Sequence, residues 1–418
     1  DLRMSRGLGD VYKRQVLGGS YPSYTSVGST VPVSLTWEKS TTYDVGLDLD
    51  FFNNRLSVSG DYYRRYTTDM YTASVALPAV YGTGSPKGNN AEMKTDGWEL
   101  SLSWRDSFKL GGKPFDYSIK AMVWDNRTVV TKYENATRSL GTLKGYIQNG
   151  GSPSDFYEGM ELGEMWGYTV AGLFRDQADI DSSATHDFTQ ASDKVTRPGQ
   201  VKIADLDHNG NIDPGAFTAD DHGDLSIIGN INPHYMFGVN LAANWNGIGL
   251  SVFLQGVMQR DWYPSPDSGY FWGKYARPFM WVLGIHNYTD DMYSEEKNNW
   301  DTAYWPRMTT YQSNSSYSWT KLLEIPNTRY KQNAAYLRVK NIQVDYTFPK
   351  ALCQKIRLGG LKIYLSGENL FTFTPLHKYA PNFDPEALGY DTDFSSTAGD
   401  GYTYPVLKSV TLGVNITF

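Results

Sequence analysis

The chain has 418 residues, 20% of them charged and 15% aromatic, with 40 Gly, 31 Tyr against 18 Phe, one Cys and a formal net charge of −7. The absence of any run of about 18 apolar residues excludes a membrane-spanning helix, and the negative balance argues against a nucleic-acid partner, which needs a basic face. The single Cys353 excludes an internal disulfide and a cysteine metal cluster.

Asp1 to Gln15 is basic and unlike the rest of the chain, and it is set aside as a non-native leader; with no secretory signal in front, the beginning is expected to be lacking. Alternation begins at Thr41: Tyr43, Val45, Leu47, Leu49 and Phe51 share one parity, and Asp44, Gly46, Asp48 and Asp50 the other. The turn at Asn53-Asn54-Arg55 returns the chain through Leu56, Val58, Gly60 and Tyr62, a β-hairpin pattern. Residues 67–96 read as a long irregular link. Trp98, Leu100, Leu102 and Trp104 mark a third strand, and a Gly-Gly-Lys-Pro turn leads to a fourth through Phe115, Tyr117, Ile119, Ala121 and Val123. A polar loop over about 125–233 comes next.

The fifth strand carries Tyr235, Phe237, Val239, Leu241, Ala243 and Trp245 on one parity. Ten steps of about 3.3 Å at a tilt of about 45° give roughly 23 Å, close to the ~25 Å apolar band of a membrane barrel. Asn246-Gly247 turns the chain into a sixth strand with Leu250, Val252 and Leu254. After a polar and aromatic loop over about 260–333 come strands Tyr336–Phe348 and Leu361–Phe371, then a loop over about 372–404. The last strand, Val406–Phe418, alternates Val410, Leu412, Val414, Ile416 and Phe418 with Ser409, Thr411, Gly413, Asn415 and Thr417, and its one charge on the apolar parity, Lys408, sits near the start, where a lysine costs little.

Connections after the first, third, fifth and seventh strands are short, and those after the second, fourth, sixth and eighth run to tens of residues. Segregated loop length is the topology of an outer-membrane barrel, with tight periplasmic turns and long external loops. The expected fold is all-β: the C-terminal portion of a large antiparallel transmembrane β-barrel. About nine strands are read, and barrels of this kind have even strand numbers, so further strands are expected upstream.

At this point the sequence resembles the SusC/RagA family of TonB-linked outer-membrane transporters. The resemblance rests on Trp37-Glu38-Lys39 before Tyr43-Asp44-Val45-Gly46, on Asn53-Asn54-Arg55-Leu56-Ser57 and on Asp61-Tyr62-Tyr63 with Thr68-Asp69. It continues in the run Asp205 to Asp213, in Ile227-Ile228-Gly229-Asn230 with Pro233, and in Phe253-Leu254-Gln255-Gly256. Tyr336-Leu337-Arg338-Val339-Lys340-Asn341 and Gly367-Glu368-Asn369-Leu370-Phe371 complete it. It implies a 22-stranded barrel around an N-terminal plug, a short motif that recruits TonB, and a SusD-like surface lipoprotein on the external loops. The plug, the TonB motif and over half of those strands are not found here and are expected to be missing.

Asp205, Asp207, Asn209, Gly210, Asn211 and Asp213 have the spacing of an oxygen-cage calcium loop. The twelfth position is Ala216, so a structural Ca2+ held by Asp205, Asp207, Asn209, Asn211 and Asp213 needs a later carboxylate such as Asp220, Asp221 or Asp224. The competing reading is an Asx-rich loop held by its own backbone. The 261–319 stretch holds sixteen aromatic rings, among them Trp262, Tyr263, Phe271, Trp272, Trp300, Tyr304, Trp305 and Trp319, which stack on sugars, meet a partner, or pack the loop against itself. The six histidines show no metal-ligand spacing, and no Gly-x-Ser-x-Gly or Gly-Lys-Ser/Thr is present.

The expected class is transport, with no catalytic residue and no further cofactor. The function expected is TonB-dependent import of oligosaccharides across the outer membrane of a Bacteroidota-like cell, together with a SusD-like lipoprotein. The alternatives are a peptide or chelate importer of the same barrel family, or a secreted all-β carbohydrate-binding or hydrolytic protein. The expected partners are that lipoprotein, TonB, outer-membrane lipid and an oligosaccharide or peptide ligand.

Overall fold

The computed structural model describes residues 35–73, 87–186, 195–266, 268–272, 291–308, 323–388 and 406–418. In chain order its strands are β1 (Lys39–Phe51), β2 (Leu56–Ala73), β3 (Lys87–Leu110), β4 (Lys113–Lys132), β5 (Glu164–Tyr168), β6 (Val170–Leu173), β7 (Val201–Ile203) and β8 (Leu225–Asn230). Next come β9 (His234–Trp245), β10 (Ile248–Gln259), β11 (Asp261–Trp262), β12 (Gln332–Asn333), β13 (Tyr336–Thr347), β14 (Gly360–Phe373) and β15 (Ser409–Thr417). Nine of them form one antiparallel sheet in the order β1-β2-β3-β4-β9-β10-β13-β14-β15, a meander in which each wall strand pairs with the next. No helix among the described residues is long and apolar enough to cross a membrane.

Alternation in sequence becomes two continuous faces because every register is aligned. One transverse row runs Phe51, Leu56, Trp104, Ile119, Leu241, Val252, Ile342, Gly367, Val410 across all nine strands. The adjacent row on the opposite face runs Asp50, Ser57, Ser103, Lys120, Asn240, Phe253, Asn341, Glu368, Ser409. The apolar row belongs to a face on which Val45, Leu47, Leu102, Ile119, Val344, Leu365, Leu412 and Val414 are exposed. Bare aliphatic side chains over so broad a surface would aggregate in water and are at rest in hydrocarbon. The wall therefore has the two-faced construction of a transmembrane barrel.

Short turns close one end. Asn246 and Gly247 take φ of 51° and 88°, and Gly111 and Gly112 take 59° and 80°, the left-handed pair that a two-residue hairpin with native twist requires. Phe52, Asn53 and Asn54 take φ of 55°, 55° and 62° in the first turn. Between β13 and β14 a short helix, α1 (Lys350–Lys355), buries Cys353.

The strands outrun the alternation at the other end. Expected loop 67–96 is largely strand: β2 continues to Ala73 and β3 begins at Lys87, with register irregularities between Thr67 and Met70 and between Glu92 and Met93. Likewise β4 runs to Lys132 and β14 to Phe373, whereas β15 starts at Ser409, after Val406 and Lys408. Beyond a lipid layer both faces of a strand meet polar surroundings, so the backbone ladder persists where the apolar period has ended.

The described parts of the long connections are folded. Residues from 133–233, 260–335 and 374–388 share one buried core that includes Tyr146, Tyr168, Trp262, Trp272, Trp305, Leu323, Tyr330 and Phe383. Small antiparallel pairs, β5 with β8, β6 with β7 and β11 with β12, organise this crown at the long-connection end of the wall.

The polar face and the external crown

The polar face is the candidate ligand-facing surface. On β2 and β3 it pairs Ser57 with Ser103, Ser59 with Ser101 and Asp61 with Glu99. Near the short turns an open groove of about 550 Å³ is lined by Arg105, Asp116, Ser118 and Asn244 among others. Hydroxyls, amides and a few charges of both signs make a surface suited to hydrogen-bonding a polar solute or a polar protein surface.

The crown folds over this same face. Arg338, on β13 and 3% exposed in its side chain, reaches Asp384 at 2.5 Å and Glu386 at 2.6 Å in the last connection, and its Nε donates to Thr372 at 2.9 Å. Lys340 and the Tyr336 hydroxyl also hold Glu386, at 2.8 and 3.0 Å. Lys340 is the unpaired residue of a bulge between Val339 and Asn341, which lets it join Arg338 at one carboxylate. Burial pushes the Asp384 carboxyl up, but its bonds from Arg338, the Glu386 N–H and the Val406 N–H outweigh this and leave it below the usual carboxylate range. Arg338 and Lys340 lie inside a stretch that carries the family resemblance, but nothing in the spacing links them to Asp384 or Glu386.

A second buried cluster joins wall and crown. His234 Nδ1 is 2.8 Å from Asp125 Oδ1, its Nε2 faces Glu161 at 3.8 Å, and the Asn230 amide donates to Glu161 at 3.2 Å. Inside the crown, Glu164 accepts from Trp166 Nε1 at 2.8 Å and from the Tyr157 hydroxyl, and burial raises its carboxyl above the ordinary range. Among the described residues the histidines stay apart; His286 lies outside them.

The calcium-like loop is partly gathered. Carboxylate oxygens of Asp205, Asp207 and Asp224 lie within 4.8 Å of one another. Asp224 is fully buried and accepts from the backbone N–H groups of Leu206 at 2.6 Å and Asp213 at 2.9 Å. Burial, with repulsion from Asp207 and Asp205, raises its carboxyl. Asp205 accepts from Gly210 N–H through Oδ2 at 3.0 Å, while its Oδ1 is buried with no hydrogen-bond donor. Asn209 instead donates to Asp207 at 2.9 Å and to Asp213 at 3.4 Å, and its carbonyl oxygen accepts from Asn211 N–H at 2.7 Å. Asp213 accepts from Gly215 N–H at 2.8 Å and stands outside the carboxylate trio. Three converging anions and a buried oxygen without a donor fit a hard divalent cation. Of the later carboxylates, Asp224 lies beside Asp205 and Asp207, and Asp220 is paired with Arg138.

The rings of 261–319 that are described pack inward. Trp262, Tyr263, Phe271, Trp272 and Trp305 are buried, Trp305 stacks on Tyr330 at 5.5 Å, and Tyr304 stacks on Tyr379 at 3.5 Å. They build the crown's core and leave no open platform. Tyr275, Phe279, Trp281, Tyr311, Tyr317, Trp319 and the Tyr270 side chain lie outside the described residues.

Comparison with known proteins agrees with this construction. The family profile described as "TonB dependent receptor-like, beta-barrel" matches residues 6–198. A TonB-dependent receptor of Formosa agariphila is 26% identical over 92% of this chain and 34% of its own length. TonB-dependent receptor SusC of Bacteroides thetaiotaomicron is 24% identical over 97% of this chain and 34% of its own. The structure of the RagAB peptide importer in its "open-open" state superposes with a TM-score of 0.64 at 23% identity, over 97% of this chain and 38% of that one. The chain thus spans about a third of the length of the curated relatives it matches. Wall, crown and relatives together place this chain among proteins similar to the TonB-dependent receptor-like β-barrels, SusC included.

Proposed function

We propose that this chain supplies wall and external crown to an outer-membrane importer of oligosaccharides that works with a SusD-like surface lipoprotein. The observation that carries the reading is the pairing of an apolar outer face with a polar inner one over which the crown is latched by Arg338. Serine, asparagine and glutamine side chains such as Ser59, Ser101, Asn240, Asn244, Gln255 and Gln343 suit the hydroxyls of a neutral sugar. TonB would act through parts of the longer relatives that this chain does not span. The likeness to a peptide importer speaks for the fold. A second reading, peptide or chelate cargo, draws on Asp61, Glu99, Arg105 and Lys120, charges on the same face that suit an ionic solute. Catalysis has no part in either reading.

Within this proposal Asp205, Asp207 and Asp224 hold a structural cation of the calcium class, while Asn209, Asn211 and Asp213 shape the turn around it. Such an ion relieves the repulsion of three clustered carboxylates and stiffens the crown.

The deciding experiment purifies the intact protein with its neighbouring lipoprotein in detergent and measures binding to panels of glycans and peptides. Binding of one oligosaccharide class supports the first reading. Peptide-only binding selects the second, and a protein that is monodisperse without detergent overturns both.

A further inference from the structure

Two aromatic rows bound the apolar face. At the short-turn end Phe108, Phe115 and Trp245 lie in register, with the Phe108 and Phe115 rings 5.0 Å apart. At the long-connection end Tyr62 pairs with Trp98, and the Trp98 and Tyr235 rings lie 6.5 Å apart. From Phe108 to Trp98 along β3, and from Trp245 to Tyr235 along β9, the rise is about 23 Å at a tilt of about 45°. These rings mark the two edges of the hydrocarbon layer, where amphipathic aromatics collect.

The row just beyond the upper edge is charged. Arg64, Asp96 and Arg127 succeed one another in register on the apolar parity, and Lys94 stands in the next row. Arg64 Nε donates to Asp96 Oδ1 at 2.5 Å, Lys94 Nζ lies 3.3 Å from Asp96 Oδ2, and the Tyr62 hydroxyl donates to the same carboxylate at 2.9 Å. Arg127 is exposed and has no ion-pair partner among the described residues. Arg64 and Lys94 thus share one carboxylate with Arg127 beside it in register, whereas the nearby Lys39 and Lys132 are balanced by Asp69 and Glu92. One carboxylate leaves these three cations in excess. β2 rises from the short turn at 52–55 towards the long connection, so the cluster is on the external side.

We infer that Arg64, Lys94 and Arg127 form a site on the outside of the wall for the phosphate of an outer-leaflet lipid headgroup. Guanidinium and ammonium groups bind phosphate through charge-assisted hydrogen bonds. Beyond the row of Tyr62 and Trp98, towards the midplane, Leu100, Leu102 and Val123 offer a surface for the acyl chains of the same molecule. A soluble anion would use only the upper half of this arrangement, and a lipid uses both. The inference rests on the reading of the wall as membrane-spanning.

The test reconstitutes the intact protein into phosphatidylcholine vesicles containing phosphorylated lipid A or the same lipid with its phosphates removed, and tracks retained lipid by native mass spectrometry. Phosphorylated lipid should be retained at least about tenfold better. Combined Arg64→Gln, Lys94→Gln and Arg127→Gln should cut its retention on the order of a hundredfold, from about 1 kcal/mol per cation. Arg65→Gln, on the opposite parity, should leave retention unchanged, and heat-modifiable mobility verifies that each variant is folded. Equal retention of the two lipids, or full retention by the folded triple variant, overturns the inference while the membrane reading stands. Displacement by millimolar inorganic phosphate overturns the lipid source. A wild-type protein that fails to insert into vesicles overturns the membrane reading and this inference with it.

Discussion

Arg338 Nη1 lies 2.6 Å from Glu386 Oε2, and this contact, with Asp384 on the other arm of the guanidinium, fastens an external connection to the polar face of a wall strand. Arg338 is buried, Glu386 is largely so, and the two are far apart in sequence, so the pair sets where the crown sits relative to the wall.

Arg338→Ala strands two buried carboxylates without their cation, at a cost of about 3–5 kcal/mol. The connection 374–408 should then be cleaved by protease much faster while the wall keeps its heat-modifiable mobility. Asp384 is held below its ordinary value of 3.8, so its bracing is present above that pH and is lost as pH falls through the folded value. Acid should open the connection in the wild type, and Arg338→Ala should abolish that acid step. Identical cleavage of wild type and variant at neutral pH would refute the latch.

Leu102 and Ser103 are neighbours that face opposite ways. Leu102→Lys places a charge towards lipid, where it costs about 2–4 kcal/mol near the midplane, and Ser103→Lys points into the polar interior and should cost under about 1 kcal/mol. Urea titration of vesicle-folded protein measures the difference. Equal losses would show that the faces are wrongly assigned.

Tyr63 lies over Gly97 on the polar face, its ring filling the space a side chain on residue 97 would need. Gly97→Val should destabilise the wall by about 1–3 kcal/mol through overpacking. Adding Tyr63→Ser should return part of that loss in the same titration. A Gly97→Val protein as stable as the wild type would contradict this packing.

His186 Nδ1 bonds to the Ala184 carbonyl at 2.7 Å, and its Nε2 accepts from Ile203 N–H at 2.8 Å, so the ring is neutral. Burial lowers its pKa from the ordinary 6.5. The unfolded chain therefore takes up the proton first as pH falls, and stability is fully present above about 6.5 and declines below it. Amide exchange at Ile203, corrected for intrinsic rate, should accelerate between about pH 7.5 and about pH 5.5. His186→Gln should flatten that dependence, and an Ile203 amide indifferent to pH would rule out the coupling.

Asp224 has a raised carboxyl, so without a cation the folded crown loses stability as pH rises through and above the ordinary 3.8. Millimolar calcium at neutral pH should raise the crown's unfolding temperature by about 2–4 °C. Magnesium should do less, because it demands stricter geometry. Asp224→Asn should blunt the response, and a wild type insensitive to calcium would remove the site.

Legibility tracked the range of the forces involved. The hairpin at Asn53-Asn54, the Asn246-Gly247 turn and the apolar stripes of β1, β9 and β15 were readable because turn chemistry and period-two burial act between near neighbours. The strand extensions at Thr67–Ala73 and Lys87–Asp96 were not readable, since their ladder persists without an apolar signal. The calcium-like spacing pointed to Asp205 and Asp207, but the third carboxylate was one of three candidates until folding buried Asp224 beside them.

The sequence by itself determined the wall: its strand count, the segregation of short and long connections, and which parity is apolar. The tertiary structure alone decided that the described parts of the long connections share one core of Trp262, Trp272, Trp305 and Phe383, that Arg338 finds Asp384 and Glu386, and that Arg64 reaches Asp96. Strand alternation is written residue by residue, whereas these contacts join positions tens to more than a hundred residues apart, and only the registers of nine paired strands bring them together.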